Sequence, residues 1–319
     1  MHWAKTLAAL AVAGAAASAA AQDYPARPIQ MIIPFAAGGG FDQTSRNFAQ
    51  ALAEVLKQPI AAVNVDGAAG SVGLTRLSQA VADGYIVGMT PAVSLTSEPH
   101  RNRNLAYGMA SFRPVCQVFE NIFAVMVPKD SPYKTLADLV AEGKRNPGTL
   151  SYGTSGTGSI PHLAVADIEA ATGAVFNHAP YRGDGPMQLD LVGGRLNFGG
   201  ALPSSFIAQV RAGNLRLLAV MPERRHPAFP DVPTLTELGI PVVQPSFGGL
   251  IVPAATPAPV VATLEAACDR AMQSPALKAW AAGANQVLNY AKSAEFAARL
   301  KRDSEVKEAT IKRLKLSAQ

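Results

Sequence analysis

The stretch PIQMIIPFAAGGGFDQTSRNFAQALAEVL, Pro28 to Leu56, decides how this chain is read. Its apolar run, Met31 to Phe35, has the length and composition of a buried strand. Gly38, Gly39 and Gly40 then break the run, and beyond them Phe48, Leu52, Val55 and Leu56 recur on one helical face. Strand, glycine turn and helix in that order open a βα unit. Such a turn leaves backbone N–H groups without acceptors at the helix start. No lysine stands beside it, so the nature of the group it holds is the first question.

Working outward, the same alternation continues. IAAVNV and YIVGMT read as strands with GSVGLTRLSQAVA as a helix between them. FAVMVP is followed by TLADLVAEGKRNPG, a helix stopped by its Asn-Pro-Gly end. LSYGTS leads into IPHLAVADIEAATG, and RLNFGGAL, PSSFIAQVRAG and LRLLAV complete the pattern. Strands alternating with helices of this length predict an α/β fold with parallel sheets. From Met221 a proline-rich stretch, MPERRHPAFPDVPTLTELGIPVVQPSFGGLIVPAATPAP, reads as an irregular crossing between domains. Two helical stretches, VVATLEAACDRAMQSPALKAWAAG and SAEFAARLKRDSEVKEATIKRLKL, close the chain.

The first residues read as a secretory signal peptide, residues 1–21. Lys5 precedes the apolar run TLAALAVAGAAASAAA, and Ala19, Ala20 and Ala21 supply a small-residue cleavage pattern before Gln22. Export to the periplasm is the expectation. The roughly 300 residues left suit two domains. A charged fraction of 16% and a net charge of +5 are those of a compact globular protein with a mild positive field. Basic residues gather late, from Arg299 to Lys315, but Glu295, Asp303, Glu305 and Glu308 are interleaved. That mixture predicts a solvated helix face and no nucleic-acid partner. Cys116 and Cys268 are far apart; export permits a disulfide, and spacing alone does not decide whether they meet.

A second glycine turn carries the chemistry further. Tyr152 to His162 reads YGTSGTGSIPH, again between a strand and a helix, with Pro161 in the first helical turn where a missing N–H costs nothing. Each turn can cradle an anion. Neither matches a P-loop, which needs Gly-Lys-Ser/Thr, nor the dinucleotide fingerprint, which would need glycine at Gln43 or Pro161. A nucleophile elbow is missed by one residue, because Thr157 follows Gly156. The plain alternative is two ordinary βα loops with Asp42 and Ser159 as helix caps. Asp42 also stands four residues before Arg46, the spacing of an exposed helical ion pair. Two such turns in separate α/β units of an exported protein point instead to a shared carboxylate, which a cleft between the domains would let both helix ends reach. Charge-assisted bonds of about 1.5–3 kcal/mol each supply the roughly 8 kcal/mol of a micromolar ligand without an arginine clamp.

The segments YPARPIQMIIPFAAGGGFDQTSR, DGYIVGMT, LSYGTSGTGSIPHLA, APYRGDGPMQLDLVGGRLNF and FPDVPTLTELG occur here in order. Together they make the chain resemble the Bug family, the extracytoplasmic solute receptors of tripartite tricarboxylate transporters. The resemblance covers essentially the whole chain after residue 21. It implies a periplasmic-binding-protein type II fold, a two-lobed Venus flytrap, with lobe I from residues 22–120 plus 225–319 and lobe II from 121–224. It also implies that Gly39, Gly40, Phe41 and Asp42 in the first turn, and Thr154, Ser155, Gly156, Thr157 and Ser159 in the second, hold a ligand carboxylate. The implied partners are a small organic carboxylate and membrane permease subunits, with the receptor a monomer, no cofactor, no metal and no catalysis. For Asp42, whose charge would repel a carboxylate, capping is the favoured role.

Some residues depart from the family pattern. Asn64-Val65-Asp66 stands where many members have Asn-Arg-Pro, Phe247 replaces a usual Trp, and Gly199, Gly200 and Ala201 stand where relatives place larger polar or acidic groups. With Phe41, these predict a distal pocket that tolerates an apolar or aromatic body. Tyr181 and Arg182 are candidates to touch ligand or hinge. His100, His162, His178 and His226 show no zinc-helix spacing and read as structural. Two other function classes stay open at this point: a ligand-sensing receptor for a signalling partner, and an exported serine hydrolase built on Ser155 and His162.

Overall fold

The structure, a computed structural model, describes residues 24–202 and 206–316. The expected signal peptide and its cleavage point before Gln22 lie outside the described residues, as do Pro203, Ser204 and Ser205.

The first sheet starts as the sequence predicts. Strand β1 (Ile29–Ile33) pairs in parallel with β2 (Ile60–Asn64) and β3 (Ile86–Pro91). Helix α1 (Gly40–Leu56) connects β1 to β2, and α2 (Ser71–Ser78) connects β2 to β3. The apolar stripe read from the sequence explains α1: Phe48, Ala49, Ala51 and Leu52 are its buried face, and Lys57 ends it in a left-handed cap.

Beyond β3 the sheet becomes antiparallel, a departure from the parallel sheets expected. Strand β4 (Phe112–Asn121) runs toward the second sheet, and β10 (Ser246–Pro253) brings the chain back beside it, so the two must be opposed. β10 also pairs antiparallel to β3, and β11 (Val287–Lys292) covers the other edge of β4. The order among the described residues is β11-β4-β10-β3-β1-β2. The proline-rich stretch after Met221 therefore ends in a strand buried at every position. Glycine hid its first half: a Cβ at Gly249 would collide with the Cys116 carbonyl, so at that position strand proximity excludes any side chain that would mark a strand in sequence.

The second sheet, of order β7-β6-β8-β5-β9, uses β5 (Ala124–Pro128), β6 (Ser151–Thr154), β7 (Asn177–Pro180), β8 (Phe198–Ala201) and β9 (Leu215–Val220). β6 pairs in parallel with β7 and β8, while β5 opposes β8 and β9. Helices α5 (Leu136–Arg145), α6 (Ile160–Thr172), α7 (Asp184–Val192) and α8 (Ile207–Arg211) pack on its faces. On the first sheet the corresponding helices are α3 (Val93–Thr96), α4 (Glu98–Arg101), α9 (Ala258–Ala271), α10 (Pro275–Ala284) and α11 (Ser293–Arg313). Each sheet thus lies between two apolar cores, and the molecule has two α/β lobes.

Helix α11 is only in part the solvated face its charges suggested: Lys301, Arg302, Glu305, Lys312 and Arg313 are exposed, but Asp303 and Lys307 are buried. Lys307 is fully buried, in an ion pair with Asp303 at 2.5 Å, and Asp303 also accepts from Thr96 Oγ1 at 2.6 Å. Sequence spacing sees alternating charge but not that this face packs on α3. Its C-terminal turns reach the other lobe, where Thr310 Oγ1 and Arg313 bond Asp167 of α6. Cys116 of β4 and Cys268 of α9 form a disulfide, with Cα atoms 6.6 Å apart, tying the helix layer to its sheet.

Candidate functional site

The first turn is held by a buried carboxylate. Gly38, at φ +86°, takes a conformation suited to glycine and donates its N–H to Asp42 Oδ2 at 2.9 Å. Asp42 also accepts from Asn64 Nδ2 at 2.8 Å and from Arg46 Nε at 2.9 Å. Its side chain is buried, so the ion pair with Arg46 is not the exposed one the spacing suggested. Burial raises the Asp42 carboxyl pKa, but the bonds from Asn64, Gly38 and Arg46 outweigh it and hold the group below its ordinary value. The helix N-cap is Gly39, and no side chain caps it. Asp42 instead reaches back to pin the turn, its carboxylate engaged by Gly38, Asn64 and Arg46. That leaves the N–H groups of Gly40, Phe41 and Asp42 as first-turn donors without intrahelical acceptors.

Phe41 packs edge-on against Phe35 and Phe119, with ring centroids at 5.2 and 5.7 Å. Beside it opens a cavity of about 220 Å³ between the start of α1, the end of α10, the crossing strand β4 and Leu202 at the end of β8. The expectation that Gly199 and Gly200 widen a pocket is corrected here. A Cβ on Gly199 would meet Leu191 at 3.0 Å and one on Gly200 would meet Pro161 at 2.6 Å, so both glycines serve close packing inside the lobe.

The second turn is built on stacked rings. His162 and His178 lie face to face, centroids 4.1 Å apart, and Tyr152 stacks on the outer face of His178 at 4.8 Å. Gly158, at φ +79°, donates its N–H to His162 Nδ1 at 2.9 Å, which requires that nitrogen to be unprotonated. Buried Thr154 shares a 2.8 Å hydrogen bond with His178 Nε2, so its hydroxyl supports the turn. Burial, then the neighbouring His162, pushes His178 down to about 4. Burial and the charge of Arg101 lower His162. Ser155, Gly156 and Thr157 form the bend itself, with Thr157 exposed. Ser159 occupies the N-cap position of α6, but its hydroxyl makes no cap bond and is buried without a partner.

The structure therefore groups Gly39 to Asp42 at the start of α1, in one lobe, and Thr154 to Ser159 at the start of α6, in the other. Among the described residues no hydrogen bond joins the two turns directly. The contact across the lobes here is Arg101 of α4, which sequence reading missed. Its guanidinium carbon would stand 2.9 Å from a Cβ on Gly158, its Nη1 pairs with Glu98 at 2.9 Å, and its Nε is buried without a partner. The sequence signal was a Glu-x-x-Arg pair on a helix of four residues, too short for periodicity to reveal. Tyr181 donates to Asp190 at 2.7 Å and Arg182 is exposed. No cluster of three or more metal-ligating side chains occurs among the described residues.

Two α/β lobes, crossed by β4 and β10 and each presenting a glycine turn at a helix start, define a two-lobed solute-binding protein. Solved structures agree. A TctC solute-binding protein from Polaromonas, without ligand, superposes with a TM-score of 0.84 at 33% identity, covering 91% of this chain and 99% of that one. The periplasmic binding protein BugD superposes at 0.72 with 26% identity, covering 93% and 100%. In sequence, Protein BugT of Bordetella pertussis is 35% identical over 294 residues, 88% of this chain and 87% of its own. The profile of the TctC family, described as the tripartite tricarboxylate transporter family receptor, matches residues 44–316. The chain belongs to this family: it is a solute-binding receptor of the tripartite tricarboxylate transporter type, and not an enzyme.

Proposed function

We propose that this receptor captures a small organic carboxylate in the periplasm, between its lobes, and presents it to membrane permease subunits. The observation that carries the reading is a glycine turn at a helix start on each lobe, with the first-turn N–H groups of α1 lacking intrahelical acceptors. Gly39, Gly40, Phe41 and Asp42 would offer backbone N–H groups from α1, and Thr154, Ser155, Gly156, Thr157 and Ser159, the loop before α6, would close on the same carboxylate from the other lobe. Asp42 contributes its amide, its carboxylate being committed to Gly38, Asn64 and Arg46. Thr154 acts through the turn it supports, and the unpartnered Ser159 hydroxyl is a ready donor. An R. palustris relative, 25% identical, was solved with adipate, which supports the ligand class.

Lobe I then comprises residues 22–120 plus 225–319 and lobe II residues 121–224, with closure at the crossing segments. Export with cleavage before Gln22 and action as a monomer belong to the same proposal. Calorimetric titration of the mature chain with acetate, succinate and benzoate, and with their amides as controls, tests it. Gly40→Val is the informative variant, because a Cβ there meets nothing within 4 Å. Saturable binding of acids alone, lost in Gly40→Val, is expected; binding of amides alone, or full retention in the variant, would refute the site.

A further inference from the structure

We infer that the cavity beside the first turn selects a monocarboxylate with an uncharged aromatic body. The inference rests on the carboxylate reading above and names the class of acid. Gly40 and Phe41 line this cavity, so an acid held on the first-turn amides has its body at the entrance. Three aromatic side chains, Phe41, Phe119 and Trp280, form the apolar wall. The polar lining is neutral: Gln43, Asn121 and Gln286, with the Thr44 hydroxyl.

Those amides are already engaged. The Gln286 Nε2 donates toward Glu120 O, Asn121 Oδ1 and Val287 O, and Gln43 Nε2 donates to Gly38 O. No charged side chain lines the cavity among the described residues. Glu120 lies between two lining residues on β4, but strand alternation turns it away, where it binds Arg299, Arg224 and Asn289. A second carboxylate entering here would lose its water and meet no cation. An aromatic ring would instead meet three ring faces and edges. The volume of about 220 Å³ is ample for one substituted ring, since benzene occupies an engineered cavity of ~150 Å³.

Trp280 makes the test direct. The sequence has two tryptophans, and the other, Trp3, falls in the segment expected to be removed. Emission of the mature chain therefore reports Trp280 alone. Benzoate is expected to change this emission saturably and to bind at least tenfold more tightly than acetate or succinate. In Trp280→Ala the benzoate-to-acetate affinity ratio should fall several-fold, and in Ala284→Leu, which narrows the mouth, it should fall again. If acetate or succinate binds and is lost in Gly40→Val, while benzoate is weaker than succinate and leaves Trp280 emission unmoved, the cavity assignment is overturned and carboxylate capture stands. If none of the three acids binds, both readings fall together.

Discussion

Replacing Asp42 by Asn separates the support of the first turn from its ligand-facing amides. The wild-type carboxylate is buried and accepts from the Gly38 N–H, Asn64 Nδ2 and Arg46 Nε. Bonds from two neutral donors to a charged acceptor are worth about 1.5–3 kcal/mol each. Arg46 adds less, roughly 0.2–1 kcal/mol, because its side chain is 44% exposed. Asn keeps the shape and one oxygen but turns an NH2 toward a donor. The net loss should be on the order of 3 kcal/mol, read as a lower urea midpoint at unchanged slope. The pH dependence has a definite sign. Asp42 titrates below its ordinary 3.8 in the fold, so its contribution is full above that value and drains away as pH falls through the folded pKa. Wild type and variant should therefore converge in strongly acidic solution. A neutral-pH difference below about 0.5 kcal/mol would refute the reasoning, since a buried acceptor of three donors cannot be that dispensable.

Other expectations follow from the same geometry. The folded pKa of His178, about 4 against an ordinary 6.5, means that the unfolded chain holds more protons between these values, so stability should decline as pH falls through that window and level off below it. His178→Phe keeps a ring in the stack and should flatten this part of the curve; an unchanged slope would remove the histidine from the account. Gly158→Ala should destabilise the lobe contact, through its positive φ and a Cβ pressed on Arg101, and a second change, Arg101→Ala, should recover part of the loss in a double-mutant cycle. Removing the Cys116–Cys268 disulfide, which spans 152 residues, should cost about 3–5 kcal/mol, checked by urea unfolding of the double alanine variant. Lys307→Met should cost about 3–5 kcal/mol by leaving Asp303 buried and unpaired, whereas adding Asp303→Leu should recover much of it.

The βα units were legible because their cause is local. Glycine turns and apolar stripes sit in consecutive residues, and LRLLAV became β9 at the predicted positions. The antiparallel half was not, because pairing of β4 with β10 joins segments more than a hundred residues apart. At the site, the glycines announced both turns. Their supports did not announce themselves: Asn64 beneath Asp42, the His162–His178 stack and Arg101 over Gly158 are all brought in by tertiary packing. Lys307 shows the same limit, since a buried ion pair and a solvated one have the same i, i+4 spacing.

The most direct measurement follows backbone amides by nuclear magnetic resonance during titration with whichever of acetate, succinate and benzoate binds most tightly. The account predicts that the amide signals of Gly40 and Phe41 in one lobe, and of Ser155 and Thr157 in the other, move together with a single dissociation constant. Shifts confined to one turn, or to neither, would contradict a carboxylate held between the two.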